Sequence, residues 1–234
     1  MRYDRWNKLI LAVLAAAALT VACAEPRRVA QEHPDERLVG VGQPAYFVDW
    51  AGFMGTDSLS RLEIYYQVFN FGLQFQKEGS EYEARYLFSV TIDDGDGKQV
   101  VAQEQDRKVR TADYAKTISR FDYRTSQMNF TLPPGNYKIK CRLKDAGSQA
   151  VTSRDFSLKL REFHTATPSA SDVQFAHTIG PAGEDGSVFR KGDVVVVPLP
   201  SRYFGENDSA LLQYYFEVYP GNAGSNEIKI EANV

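Results

Sequence analysis

Cysteine and histidine are scarce in this 234-residue chain, with two of the first and three of the second. Cys23 closes an N-terminal export signal and is either removed or lipidated there, so Cys141 is left without a partner and no structural disulfide is expected. An exported fold without a disulfide relies on its packed core, which is where Cys141 is expected. The histidines are His33, His164 and His177. No two of them have ligand spacing such as His-x-x-x-His and neither cysteine is close, so no metal or cofactor site is expected. Nucleophile signatures are missing as well: there is no Gly-x-Ser-x-Gly, and no Ser-x-x-Lys beside plausible partners. Neither sign of charge dominates. Lys and Arg total 27 against 30 Asp and Glu, and a formal net charge of −3 gives no electrostatic reason to expect nucleic acid as a partner. The one long apolar run covers residues 9–22, about 14 residues, which is too short to cross a bilayer comfortably.

That run has a different use. Arg2, Arg5 and Lys8 precede it against a single Asp4, the layout of an export signal. Ala22-Cys23-Ala24 fits the small-x-small rule of ordinary cleavage. Ala22-Cys23 also resembles a bacterial lipobox, in which Cys23 becomes the lipidated first residue, although Thr20 stands where Leu is usual. Both exits remain open, and a cysteine at this position favours the anchor. Residues 24–44, AEPRRVAQEHPDERLVGVGQP, are polar, charged and broken by Pro and Gly, and read as a flexible tether.

Beyond the tether, period-two alternation dominates. Over residues 81–92, Tyr82, Ala84, Tyr86, Phe88, Val90 and Ile92 share one face, with Leu87 the exception on the other. Over 137–144, Tyr137, Ile139, Cys141 and Leu143 oppose Lys138, Lys140, Arg142 and Lys144. Over 62–68, Leu62, Ile64, Tyr66 and Val68 oppose Glu63, Tyr65 and Gln67. Each pattern predicts an antiparallel strand with one face buried and one wet. Weaker strands are expected over 46–53, 73–75, 128–132 and 156–160, and a charged edge strand over 99–109. Gly135-Asn-Tyr137 entering a strand resembles the tyrosine corner of immunoglobulin-like domains; Ile139 stands where antibody domains keep a cysteine. A second unit offers strands over 173–178, 193–198, 211–219 and 228–234, with Val194 to Val197 expected to be buried on both faces. The expected fold is all-β, with two immunoglobulin-like antiparallel β-sandwich domains in tandem, the second incomplete. The expected boundaries are export signal 1–23, tether 24–44, first sandwich 45–163 and truncated second sandwich 164–234.

The stretch Thr91-Ile-Asp-Asp-Gly-Asp-Gly-Lys-Gln-Val100 tests for calcium. An EF-hand loop needs oxygen ligands at positions 1, 3 and 5, Gly at 6 and Glu at 12. Starting at Asp94 puts Lys98 at 5; starting at Asp93 puts Gly95 at 3. Both registers fail, and Asp-Gly pairs between strands predict a tight hairpin turn instead. Gly205-Glu-Asn-Asp208 also reads as a turn. The basic face Lys138, Lys140, Arg142, Lys144 is expected to pair with the acidic residues Glu81 and Glu83 of a neighbouring strand, the competing reading being contact with anionic glycan or lipid headgroups. Tyr65, Phe71, Phe75 and Tyr215 are candidates for an interaction surface. Aromatics of this kind more often cover a domain–domain interface, and a carbohydrate-binding module would instead show two or three coplanar exposed rings on one sheet face.

The order of short motifs is distinctive. Ser60-Arg-Leu-Glu-Ile-Tyr-Tyr66 is followed by Leu73-Gln-Phe75, Glu81-Tyr82, the DDGDGK turn and Leu132-Pro-Pro-Gly-Asn-Tyr-Lys138. Later come Pro198-Leu-Pro-Ser-Arg-Tyr-Phe-Gly205 and Tyr214-Tyr-Phe-Glu-Val-Tyr219. Together they resemble the N-terminal region of the GWxTD domain-containing proteins, exported bacterial proteins of largely uncharacterised function. The Gly-Trp-x-Thr-Asp motif itself is absent, and the resemblance supplies no catalytic residues. It implies a non-catalytic cell-envelope protein that binds or spaces, with an envelope protein or a glycan as partner. The membrane would be reached through a lipid on Cys23; Ala24 does not supply the Asp signal of inner-membrane retention, which favours the outer membrane over the periplasm. The alternative is an accessory substrate-binding or carbohydrate-binding part of an enzyme whose catalytic part lies beyond residue 234.

Overall fold

Strands whose side chains alternate between apolar and polar can hide one face only by stacking on another sheet, and this chain does so. The structure, a computed structural model, describes residues 43–163, 167–183, 186–204 and 212–221. Cys23, His33, the tether up to residue 42, His164, the 205–208 turn and the expected strand over 228–234 lie outside the described residues.

The first layer joins β1 (Tyr46–Met54), β2 (Ser60–Phe69) and β6 (Tyr123–Leu132) in the order β1-β2-β6, all antiparallel. The second layer holds β3 (Gln76–Glu78), β4 (Glu81–Asp93), β5 (Gln99–Thr111), β7 (Gly135–Asp145) and β8 (Val151–Leu160). Its main order is β5-β4-β7-β8, and β3 pairs with the first residues of β4. A one-turn helix, α1 (Tyr114–Thr117), carries the chain from β5 back to the first layer, capped by the Asp113 carboxylate, which accepts from the Ala115 N–H. Three strands facing a layer of four long strands and the short β3, with the chain crossing between layers after β2, β5 and β6, is the immunoglobulin-like arrangement.

The core lies between the layers. Tyr46, Val48, Leu62, Ile64, Tyr66 and Val68 meet Tyr86, Phe88, Val90, Ile92, Ile139, Cys141 and Leu143. The Tyr66 ring stacks on Phe88 with centroids 3.7 Å apart, and Tyr46 meets the same ring edge-on at 5.6 Å. Burying a side chain of this size contributes about 1.5–3 kcal/mol. The Tyr46 hydroxyl donates to the Cys141 carbonyl at 2.7 Å, which satisfies a polar atom inside the core. At the corner before β7 the Tyr137 hydroxyl donates to the Pro133 carbonyl at 2.7 Å, so the expected tyrosine corner forms. The Asp-Gly segment is a hairpin turn. Asp94 N–H donates to Lys98 O and Gly97 N–H to Asp94 O, the Asp94 carboxylate accepts from the N–H groups of Asp96 and Lys98, and Gly97 takes φ +81°.

Past β8 the chain builds a smaller β unit. β10 (Gln174–Pro181), β11 (Arg190–Lys191), β12 (Val194–Pro198) and β13 (Gln213–Tyr215) form a sheet in the order β11-β12-β10-β13. β9 (Ser169–Ala170) pairs with β14 (Val218–Tyr219) as a separate ribbon.

Several expectations are corrected. The strand expected over 62–68 was to have a wet face, but Glu63, Tyr65 and Gln67 are as buried as the core residues between them, because the smaller unit packs on that side. Residues 73–75 are not a strand. Asn70–Gly72 forms a 3-10 turn and pairing starts at Gln76. A Cβ on Gly72 would lie 2.6 Å from the Ala45 nitrogen, so the chain passes too close to β1 for an ordinary residue. The strand expected over 211–219 is two pieces with different partners. The break at Phe216-Glu217 is held by Ser171, whose N–H donates to Glu217 O and whose hydroxyl accepts from Glu217 N–H. In the valine run only Val196 is fully buried; Val194, Val195 and Val197 are half-exposed, since β12 has cover on one face only.

Candidate functional site

Two features concentrate charge: a buried seam between the first layer and the smaller unit, and a basic stripe on the outer face of the second layer.

The seam follows from β1 and β2. On β1 the side opposite the core carries Asp49, Ala51 and Phe53, all buried, and on β2 it carries Glu63, Tyr65 and Gln67. Ala51, Phe53 and Tyr65 make a small second core with Tyr215 of β13 packed against it. Across it, Lys191 of β11 brings Nζ to 2.5 Å from Glu63 Oε2, with both side chains under 5% exposed. The same ammonium lies 4.0 Å over the Phe53 ring and 5.6 Å from that of Tyr215, a cation–π setting. Burial pulls the Lys191 ammonium below its ordinary pKa, and Glu63 opposes that shift. Tyr65 donates to Glu63 Oε2 at 2.8 Å; burial, then the carboxylate, raises its pKa well above the usual phenol value. Arg61 Nε lies 3.0 Å from Glu63 Oε1, and its Nη2 donates to Glu217 at 2.8 Å. Glu217 also accepts from the Tyr219 hydroxyl, which in turn accepts from the Met54 N–H of β1.

Two further clamps close the seam. Asp49 takes a bidentate contact from Arg202, through Nε at 2.9 Å and Nη2 at 2.5 Å. Asp172 accepts from Arg161 and from the Gly52 N–H at 2.9 Å, while its own N–H donates to Gly52 O. A Cβ on Gly52 would stand 2.9 Å from the Asp172 carboxylate and 3.1 Å from Leu160 Cδ1, so a larger residue here would push on the Asp172 contact. Of the candidate interaction residues, Tyr65 and Tyr215 therefore meet in the seam. Phe71 is half-buried near Phe69 under Arg120, and Phe75 packs at the margin of the main core. Cys23 lies outside the described residues.

Sequence reasoning missed Lys191 and the burial of Glu63. The signal was present on β1, where Ala51 and Phe53 stand on the face away from the main core. A sheet cannot be wet on a side that carries a buried phenylalanine, and Glu63 shares that side.

The basic stripe was visible in the sequence, but its pairing was not. Glu81 and Glu83 lie beyond the β4 residues that pair with β7, whose register runs from Tyr86↔Asp145 to Asp93↔Lys138. Glu83 is instead held by Lys108 and Arg110 of β5, and Asp106 by Arg85. That leaves Lys138, Lys140, Arg142 and Lys144 in line on the outer face of β7. None of them makes an ion pair or side-chain hydrogen bond among the described residues, although Asp93 and Asp155 stand across from Lys138 and Lys140. Alternate residues of a strand are about 6.8 Å apart along the backbone, so these like charges stand in a row along that face. Where the stripe reaches the β4–β5 turn, an open depression of about 320 Å³ is lined by Lys138 and Lys159 with Asn136, Ser157 and Asp94. A separate aromatic pair, Tyr214 and Phe216, sets its rings within 17° of parallel at 6.2 Å, with Tyr214 exposed.

No family model matches the chain, and no curated protein matches it. Among solved structures it is similar to β-glucuronidase from Bacteroides uniformis at 12% identity and a TM-score of 0.35, over 52% of this chain and 14% of that one. A calcium-binding mutant of β-glucuronidase 2 from the same organism gives 11%, 0.34 and the same coverage. A Bacteroides fragilis chain described as a β-galactosidase gives 14% and 0.31 over 52% of this chain and 19% of that one. The chain thus spans less than a fifth of these proteins' length, and likeness at this level is too slight to carry fold or function across.

Proposed function

We propose that this chain is a non-catalytic binding and spacing module of a bacterial cell envelope, of the kind implied by its resemblance to the N-terminal region of the GWxTD domain-containing proteins. The observation that supports this reading is the use made of buried charge. Asp49, Glu63, Asp145 and Lys191 are the buried charged residues among those described, and each is committed to holding the fold together. Asp49 and Glu63 clamp the smaller unit through Arg202 and Lys191, and Asp145 accepts from the Ser148 N–H and hydroxyl in the β7–β8 turn. Catalysis asks for titratable groups with free valence in a cleft; here that valence goes into stiffening two β units into one body. A stiff body on a polar tether suits a part that presents surfaces at a distance from a membrane.

The anchor in this reading is a lipid on Cys23, with the outer membrane as its destination. Metabolic labelling with a fatty-acid analogue tests it: the wild-type chain takes up label and Cys23→Ala does not, whereas equal labelling of the two removes the anchor from the proposal. A second reading, a glycan-binding accessory part of an enzyme, draws support from the exposed ring of Tyr214, one face on which a sugar could stack.

A further inference from the structure

We propose that the outer face of β7 is a binding site for a linear acidic polysaccharide, lying along Lys138, Lys140, Arg142 and Lys144 and ending in the depression beside Lys159. The inference deepens the reading of this chain as a binding module and is independent of the anchor at Cys23.

Three observations carry it. The first is charge left uncompensated. On this face the acidic residues Glu83 and Asp106 already have basic partners on β4 and β5, while the four β7 cations make no ion pair among the described residues, only Lys138 and Lys140 facing a carboxylate across the ladder. Like charges in a row repel, and a bound polyanion relieves that repulsion.

The second is shape. The cations form a line, not a field. Asp93 and Asp155 flank it directly, and Glu104 and Asp106 stand two strands away on β5. A planar anionic membrane laid on this sheet would meet those carboxylates as well. A chain following β7 meets the cations at about 6.8 Å intervals and passes between the acids.

The third is the chemistry of the margins. Ser89 and Thr91 on one side and Ser153 and Ser157 on the other offer hydroxyls beside the stripe. No aromatic side chain points outward from the paired stretch of β4, β7 and β8, so the ring platforms on which nucleic-acid bases stack are missing there. Carboxylate-bearing sugars, which present anions and hydroxyls together, fit both. At the end of the row Lys138 and Lys159 converge with Asn136 and Ser157 in the 320 Å³ depression, a place for a chain end or a branch. The Asp94 carboxylate at its rim already accepts two backbone N–H groups of the turn.

The test uses the full chain and polygalacturonate as probe, with neutral dextran, vesicles containing anionic phosphatidylglycerol and a single-stranded oligonucleotide as the other arms. Affinity is measured by calorimetry at several salt concentrations. The expected result is binding to polygalacturonate, none to dextran, and weaker binding to vesicles and oligonucleotide. Lys140→Ser with Arg142→Ser weakens it about tenfold or more at low salt and flattens the log–log salt dependence, because fewer counterions are released on binding. Lys116→Ser, on the exposed α1, leaves it unchanged. Circular dichroism confirms that the variants fold. No binding to polygalacturonate, or equal affinity in the folded double variant, overturns the site. Preference for vesicles or oligonucleotide overturns its assignment to a polysaccharide. Fatty-acid labelling reads the anchor separately, so either proposal can fail without the other.

Discussion

Tyr137 and Cys141 occupy one strand face four residues apart, and the environment gives each a different task. The Tyr137 hydroxyl ties the entry of β7 back to Pro133, closing the corner where the chain changes layers. Cys141 is fully buried and has no sulfur partner; burial, and then the nearby Asp155, pushes its thiol up to about 12. A thiol that is neither exposed nor ionised is a small apolar side chain, and its reactivity is suppressed twice. The native protein should therefore react with a thiol reagent at pH 8 at least a hundredfold more slowly at Cys141 than the same protein in urea. Comparable rates in the two states would mean that the second layer opens readily, against the packing seen around this residue.

The β4–β5 ribbon carries two carboxylates whose ionised form the fold favours. Hydrogen bonds from Lys108 and Arg110 hold the Glu83 carboxyl below the usual range, and Arg85 does the same for Asp106. Both folded pKa values lie below the unfolded ones, so the stabilisation is fully present above about pH 4.3 and fades as pH falls through the folded values. The melting temperature should fall between pH 5 and pH 3, and Glu83→Gln with Asp106→Asn should fall less over the same range; superimposable profiles would assign the acid sensitivity elsewhere. The strands of this ribbon were legible because period two survives wherever one face meets solvent. β7 alternates without fault, and β4 departs only at Leu87. The same rule misread β2. A polar residue on an alternating strand signals water only if no second surface arrives, and here the surface comes from residues more than 100 positions later in the chain. The basic stripe was legible for the same reason as β7 itself, but the partner of Glu83 was not, since cross-strand register depends on where the hairpin turns.

Those long-range contacts also determine how the protein behaves as a unit. Without the smaller unit, β1 and β2 would expose Phe53, Tyr65 and the Glu63 carboxylate; without the first layer, Lys191 would return to water. Each side completes the other, which predicts a single cooperative unfolding transition in the wild type. Glu63→Ala tests the coupling. It leaves Lys191, 4% exposed, facing the Phe53 and Tyr215 rings without its carboxylate, and leaves Arg61 with Glu217 alone. Removing one partner of a buried pair costs about 3–5 kcal/mol, whereas replacing both with apolar side chains of similar volume is often close to neutral. Glu63→Leu with Lys191→Met should therefore recover most of the stability that Glu63→Ala loses. Urea unfolding in a Trp6→Phe background, followed by fluorescence, which then comes from Trp50 and reports on β1, and by far-ultraviolet circular dichroism, which reports on all strands, separates the cases. The wild type and the double variant should give coincident curves. In Glu63→Ala the smaller unit should come away first, splitting the dichroism transition into an early step and a later one, with the Trp50 signal following the later step. A Glu63→Ala protein that unfolds in one step at the wild-type urea concentration would mean that the seam is held by its apolar contacts, with the ion pair adding nothing.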